Sequence, residues 1–142
     1  MTQQEAKKEL RQLKESGQEI KNIDLEIERL VAVATRMTTA YEPRTSSSYS
    51  NRLEEAVIQI EDYRSKLSDL LVEELAYRNK CMSKVQQIKT KTLRMVLIYY
   101  YFMDNTMEKT AELMNKSYQW TYSMFQSALD EYCKISEKNS IT

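Results

Sequence analysis

The sequence predicts an all-α protein: a long antiparallel, coiled-coil-like helical hairpin followed by a C-terminal helix-turn-helix domain. Three observations carry this. A single Gly and a single Pro among 142 residues, with 30% charged side chains, leave few helix breakers and suit long, solvated helices. Apolar residues recur at spacings of three and four in two stretches on either side of Pro43. Residues 93–135 then read as three shorter helices, the last two joined by the tight break Asn115-Lys116-Ser117.

The first helix is expected over about residues 3–40, where Pro43 and the serines in Glu42-Pro43-Arg44-Thr45-Ser46-Ser47-Ser48 stop it. Along it Ile20, Ile23, Ile27, Leu30, Ala34 and Met37 form a coiled-coil seam, which Leu13 extends one heptad upstream. The second helix is expected over about residues 51–91. Leu53, Val57, Ile60, Leu67, Leu71, Val85 and Ile88 keep the rhythm, Arg64, Glu74 and Arg78 interrupt it, and Leu75 and Met82 shift the stripe sideways. Each helix would be roughly 55 to 60 Å long at 1.5 Å per residue, and neither has enough apolar surface to be stable without a partner. The short connection allows an antiparallel hairpin, yet the same stripes suit pairing between subunits, and the spacing leaves both open. The narrow seam of helix one against the wider, drifting surface of helix two leaves apolar area uncovered on a lone hairpin. A homodimer held by Ile20, Ile23, Ile27 and Leu30 is therefore expected, with residues 1–91 as the oligomerisation region.

Total charge is balanced, but its distribution is not. Arg78, Lys80, Lys84, Lys89, Lys91 and Arg94 fall in a stretch with no acid between Glu74 and Asp104. On one continuous helix Lys80, Lys84 and Lys91 share a side with Gln87, either as a solvated face or as a stripe suited to phosphates.

In the terminal domain, residues 92–142, Leu93, Val96, Leu97, Tyr100 and Tyr101 give the first helix its apolar side. Asp104-Asn105-Thr106 ends that helix and can cap the next, with Asn105 and Glu108 at capping-box spacing. The second helix runs from about Met107 to Met114, and Ala111 is small enough for a close crossing. Ser117 caps the last helix. There Thr121, Met124, Phe125, Ala128, Leu129 and Tyr132 share one side, so Gln119, Ser123, Gln126 and Asp130 point away together.

Several chemistries are excluded by what is missing. Without His, Ser-His-Asp and Cys-His nucleophilic systems are unavailable and the commonest zinc ligand is lost, while one Gly rules out a glycine-rich phosphate loop. The pairs Glu54-Glu55, Glu61-Asp62 and Glu73-Glu74 diverge around a helix and read as solvated surface. Cys81 and Cys133 lie in apolar patterns and read as buried structural thiols. The chain is expected to be no enzyme and to need no metal or cofactor. No apolar run reaches bilayer length and Met1-Thr2-Gln3-Gln4-Glu5 lacks a signal-peptide core, so a cytoplasmic protein with no membrane partner is expected.

The runs Leu93-Arg94-Met95-Val96-Leu97-Ile98-Tyr99-Tyr100-Tyr101 and Thr106-Met107-Glu108-Lys109-Thr110-Ala111, then Ser117-Tyr118 and Ala128-Leu129, resemble the helix-turn-helix of sigma factor region four. A long amphipathic helix, the serines Ser46-Ser47-Ser48 before Asn51, Glu54 and Glu55, a second long helix and this terminal domain follow one another. That order resembles small proteins of streptococcal phages and prophages related to late-gene transcription regulators. The resemblance covers nearly the whole chain and implies transcriptional control in a bacterial host cytoplasm. This chain has Asn115 where that family usually has glycine, Thr110 where it often has Ile or Val, and Gln119 and Ser123 where it often has basic residues.

The expected function is that of a phage-type transcription regulator binding double-stranded DNA, with Gln119, Ser123 and Gln126 reading bases. Lys80, Lys84, Lys91, Arg94 and Lys116 would hold the backbone. Trp120 and Tyr122 flank the row, either touching thymine methyls or packing at the core boundary. The alternative is a helical adaptor that binds RNA polymerase or another protein through the same face. Its support is that residues 93–142 carry Arg94, Lys109, Lys116, Lys134 and Lys138 against Asp104, Glu108, Glu112, Asp130, Glu131 and Glu137, a slightly acidic balance.

Overall fold

The computed structural model describes residues 1–39 and 47–141. Its regular elements are all helical: α1 (Gln3–Thr39), α2 (Ser47–Gln86), α3 (Lys91–Leu97), α4 (Met107–Met114) and α5 (Tyr118–Ile141). A π-helical turn, Ile98–Phe102, extends α3. The chain is thus all-α, with α1 and α2 forming the long hairpin. Residues 42–46 of the expected break lie outside the described residues, whereas Ser47 and Ser48 already belong to α2. Among the described residues no helix is long and apolar enough to cross a membrane.

α2 does not reach Lys91, as a single periodic stripe had implied. It ends at Gln86, where the Gln87 and Ile88 amides donate to the carbonyls of Lys84 and Val85 and tighten the last turn. Arg94 then folds back, its Nη1 donating to the carbonyls of Ile88 and Lys89. Ile88 is 1% exposed, and its burial continues the apolar rhythm past the point where the helix stops.

The chain forms two compact units, divided elsewhere than at residue 91. The first comprises Met1–Ser16 and Glu74–Thr142. Ala6, Leu10 and Leu13 supply the start of α1, Cys81 and Val85 the end of α2, and Leu93, Val96 and Leu97 the buried side of α3. On α5, Phe125, Ala128, Leu129 and Tyr132 complete the core. Leu10, Val85, Val96, Leu97, Leu129 and Tyr132 are fully inaccessible to solvent. Tyr100 meets Phe125 edge on, with ring centroids 5.1 Å apart. The π turn that carries Tyr100 closes through the Met103 amide, which donates to the Ile98 carbonyl at 2.9 Å. Asn105 Nδ2 donates to the Tyr99 carbonyl.

The second unit, Gly17–Glu73, consists of the remaining segments of α1 and α2 side by side. Residues 17–24 of α1 share a groove with Leu67 and Leu71, and residues 31–35 share one with residues 53–64, so the two strands of helix run antiparallel. Ile23, Ile27 and Leu30 of α1 and Ala56 and Ile60 of α2 are its buried residues. This corrects the expected oligomerisation seam. Ile23, Ile27 and Leu30 are already buried in a single chain and Ile20 is half-buried, because α2 of the same chain covers the stripe.

Candidate nucleic-acid interface

The local chemistry of residues 104–121 builds a well-capped helix-turn-helix. Thr106 is the N-cap of α4, its Oγ1 accepting from the Lys109 amide at 3.1 Å. This replaces the expected Asn105–Glu108 box, since Asn105 is spent on the π turn. Asn115 ends α4 in the left-handed region at φ 58° and ψ 42°, where Asn is the best tolerated residue after glycine. The Lys116 amide then donates to the Ala111 carbonyl and the Asn115 amide to the Glu112 carbonyl, the paired bonds of a Schellman turn. Ser117 Oγ accepts from the Trp120 amide and so caps α5. Thr110 and Thr121 are fully buried, and each hydroxyl donates to the carbonyl four residues before it, Thr106 and Ser117 respectively. A threonine therefore fits at position 110 without an unsatisfied polar atom.

α5 divides its sides as the spacing predicts. Thr121, Phe125, Ala128, Leu129 and Tyr132 are buried and Met124 is partly so, while Gln119, Ser123, Gln126 and Asp130 are exposed. The structure brings Gln119, Ser123 and Gln126 together on one row, and none of their side chains is hydrogen-bonded to another described residue. Farther along, Gln3 Nε2 donates to the Gln126 carbonyl and to Asp130 Oδ1 at 2.9 Å, so α1 closes the C-terminal end of the row. Beside it Tyr118 and Tyr122, both exposed, stack in parallel with centroids 6.3 Å apart. This aromatic ledge follows from an i, i+4 pair. Trp120 is half-buried with the Lys116 ammonium 5.3 Å from its ring.

The expected phosphate stripe is not assembled. The Lys84 side chain is 13% exposed and its Nζ lies 3.1 Å from Glu9 Oε1 and 3.2 Å from Oε2, so its charge is spent inside the first unit. Arg94 is spent on the Ile88 and Lys89 carbonyls just beyond α2. Both lose the backbone-binding role read from the charge run, because a periodic stripe does not show which cations already have partners. Lys80 is mostly exposed, 3.6 Å from Glu9. Lys91 is exposed but begins α3, and Lys116 is exposed in the turn before α5. Exposed anions also lie on α4: Glu108 and Glu112, the latter 3.5 Å from Lys109.

The sequence reading missed Glu9. Its side chain is 14% exposed and gathers Lys84, Lys80 and the Tyr132 hydroxyl, which donates to Oε2 at 2.9 Å. Tyr77 donates to the Glu9 carbonyl. The network joins α1, α2 and α5 around Cys81. Burial pushes the Tyr132 and Tyr77 phenols and the Cys81 thiol well toward their protonated forms, with the charge of Glu9 adding to the effect. Burial likewise raises Cys133, and both cysteines are free and buried. The available signal was Ala6-Leu10-Leu13, which carries the apolar spacing of α1 to its first turns and brings Glu9 to the edge of that side.

No protein-family model matches this sequence, and no curated protein or solved structure is significantly similar to it.

Proposed function

We propose that the chain is a DNA-binding transcription regulator of the phage type, reading double-stranded DNA with the exposed row of α5. The observation that carries this reading is the capped turn. Thr106, Asn115 and Ser117 fix α4 against α5 and leave Gln119, Ser123 and Gln126 as a row of uncommitted hydrogen-bonding groups facing solvent. Gln bridges adenine N6 and N7, and Ser donates or accepts at either purine. Lys116, at the positive end of α5, and Lys91 and Lys80 supply the phosphate contacts. Lys84 and Arg94 do not take part.

A second reading, an adaptor that binds RNA polymerase or another protein, is favoured by one set of residues. Glu108 and Glu112 repel phosphates near the turn, and the Tyr118–Tyr122 stack has the rigid, amphipathic character of a protein contact.

Selection of bound sites from random duplexes by the full-length protein separates the two. A recovered consensus whose binding Gln119→Ala or Gln126→Ala weakens by about 1 to 3 kcal/mol supports base reading. Absence of any preference, with the same substitutions abolishing capture of polymerase, transfers the function to the adaptor.

A further inference from the structure

The second unit has an open side. On α2, Val57 and Leu71 are 49% and 47% exposed, and on α1 Val31 is 38% exposed. They belong to two grooves of about 470 and 400 Å³ between the same pair of helices. In each groove the residues come from the same flank of α1 and the same flank of α2, as their spacings of three, four and seven require. Ile20 and Leu67 line one and Ile60 the other, so the grooves form one apolar face beside the buried seam.

We propose that this face is the docking surface for a second copy of the chain, forming a two-fold dimer whose core is a four-helix bundle. Its charge is one reason. The ionised residues lining the grooves are Lys21 and Asp24 on α1 and Glu61 and Arg64 on α2, two of each sign with both signs on each helix. Such a face carries no net field to attract nucleic acid or a strongly charged protein, and with Glu61 and Arg64 already paired at 3.6 Å a second neutral face approaches it without net repulsion. Its size is the other. The α1 side of the face, residues 17–35, is about 28 Å long at 1.5 Å per residue, and two neighbouring helices are about 20 Å wide. That gives about 550 Å² per copy and about 1,100 Å² in the pair, just past the roughly 1,000 Å² that a specific interface needs. A dimer also fits paired half-sites, although the inference does not depend on DNA binding.

Light scattering on the full-length protein, coupled to size exclusion over a micromolar concentration series, tests it. The expected mass is twice the 16.8 kDa of one chain. Val57→Glu with Leu71→Glu is expected to give one chain mass with helical circular dichroism unchanged, since both side chains are half exposed in the single chain. Leu25→Glu with Val72→Glu, exposed residues outside the grooves, is expected to stay dimeric. A monomeric wild type, a Val57/Leu71 variant that remains dimeric, or dissociation by the Leu25/Val72 control each overturns the proposal. Gln119→Ala leaves the mass unchanged whether or not it affects DNA, so failure of the DNA reading and failure of the dimer are told apart.

Discussion

The two compact units use the same helices to different ends. In the first, α1 and α2 meet α3, α4 and α5, and at least six large side chains lose all contact with solvent. In the second, among the described residues, α1 and α2 meet each other; Leu30, at 5%, is the least exposed of their core residues, and Val57 and Leu71 stay half open. Two helices can cover one stripe each but cannot surround a residue. The first unit therefore encloses its core, while the second leaves Val57 and Leu71 half exposed.

The two cores should differ most in their response to truncation. Leu10→Ala is expected to cost about 3 to 4 kcal/mol, because a fully enclosed side chain leaves a cavity that rigid neighbours cannot fill. Ile27→Ala should cost about 2 kcal/mol, since the two-helix unit can collapse into the gap. Urea unfolding of the two variants gives the ratio, and equal losses would show that the second unit is as enclosed as the first.

Glu9 gives the next largest effect. Glu9→Ala strands Lys84, a charge 13% exposed, and removes the acceptor of the Tyr132 hydroxyl. A loss of about 3 kcal/mol is expected, confined to the first unit in hydrogen exchange. Lys84→Ala should destabilise similarly rather than act as a lost phosphate contact.

The smallest effect is a dependence on pH. Tyr132, Tyr77 and Tyr101 are raised from the ordinary phenol value of 10.0, and Cys81 and Cys133 from 9.0, with burial the main cause in each. All five belong to the first unit. Groups with raised folded values stabilise fully below their unfolded values and lose that contribution as pH rises above them. Stability from these groups should hold through neutral pH and fall above about pH 9. Among the described residues of the second unit, only the Glu26–Arg29 pair is shifted, lowered and raised respectively by their shared hydrogen bond. Hydrogen exchange at rising pH, corrected for intrinsic rates, should therefore show the first unit opening earlier.

Helical periodicity made much of this legible. The sides of α5, the break at Asn115-Lys116-Ser117 and the cap at Ser117 were readable because each depends on residues within one turn. The end of α2 was not, since Ile88 keeps the apolar rhythm past Gln86 while Arg94, six residues on, binds its carbonyl outside the helix. The cations were misread for a related reason: Lys84 and Lys80 look alike in sequence, and only Glu9, far away along the chain, separates a buried ion pair from a surface charge. Likewise Ile23, Ile27 and Leu30 showed that a partner exists without showing that it is α2 of the same chain.

The most direct test of the proposed interface is an anisotropy titration of full-length protein on its selected duplex, from about 50 to 200 mM salt. Lys116→Ala should weaken binding to all sequences and reduce the salt slope by about 0.9, and Gln119→Ala should keep the slope while relaxing preference at one base pair. Failure to bind any duplex at about 50 mM salt, with wild-type folding intact, would contradict the DNA-binding assignment of α5.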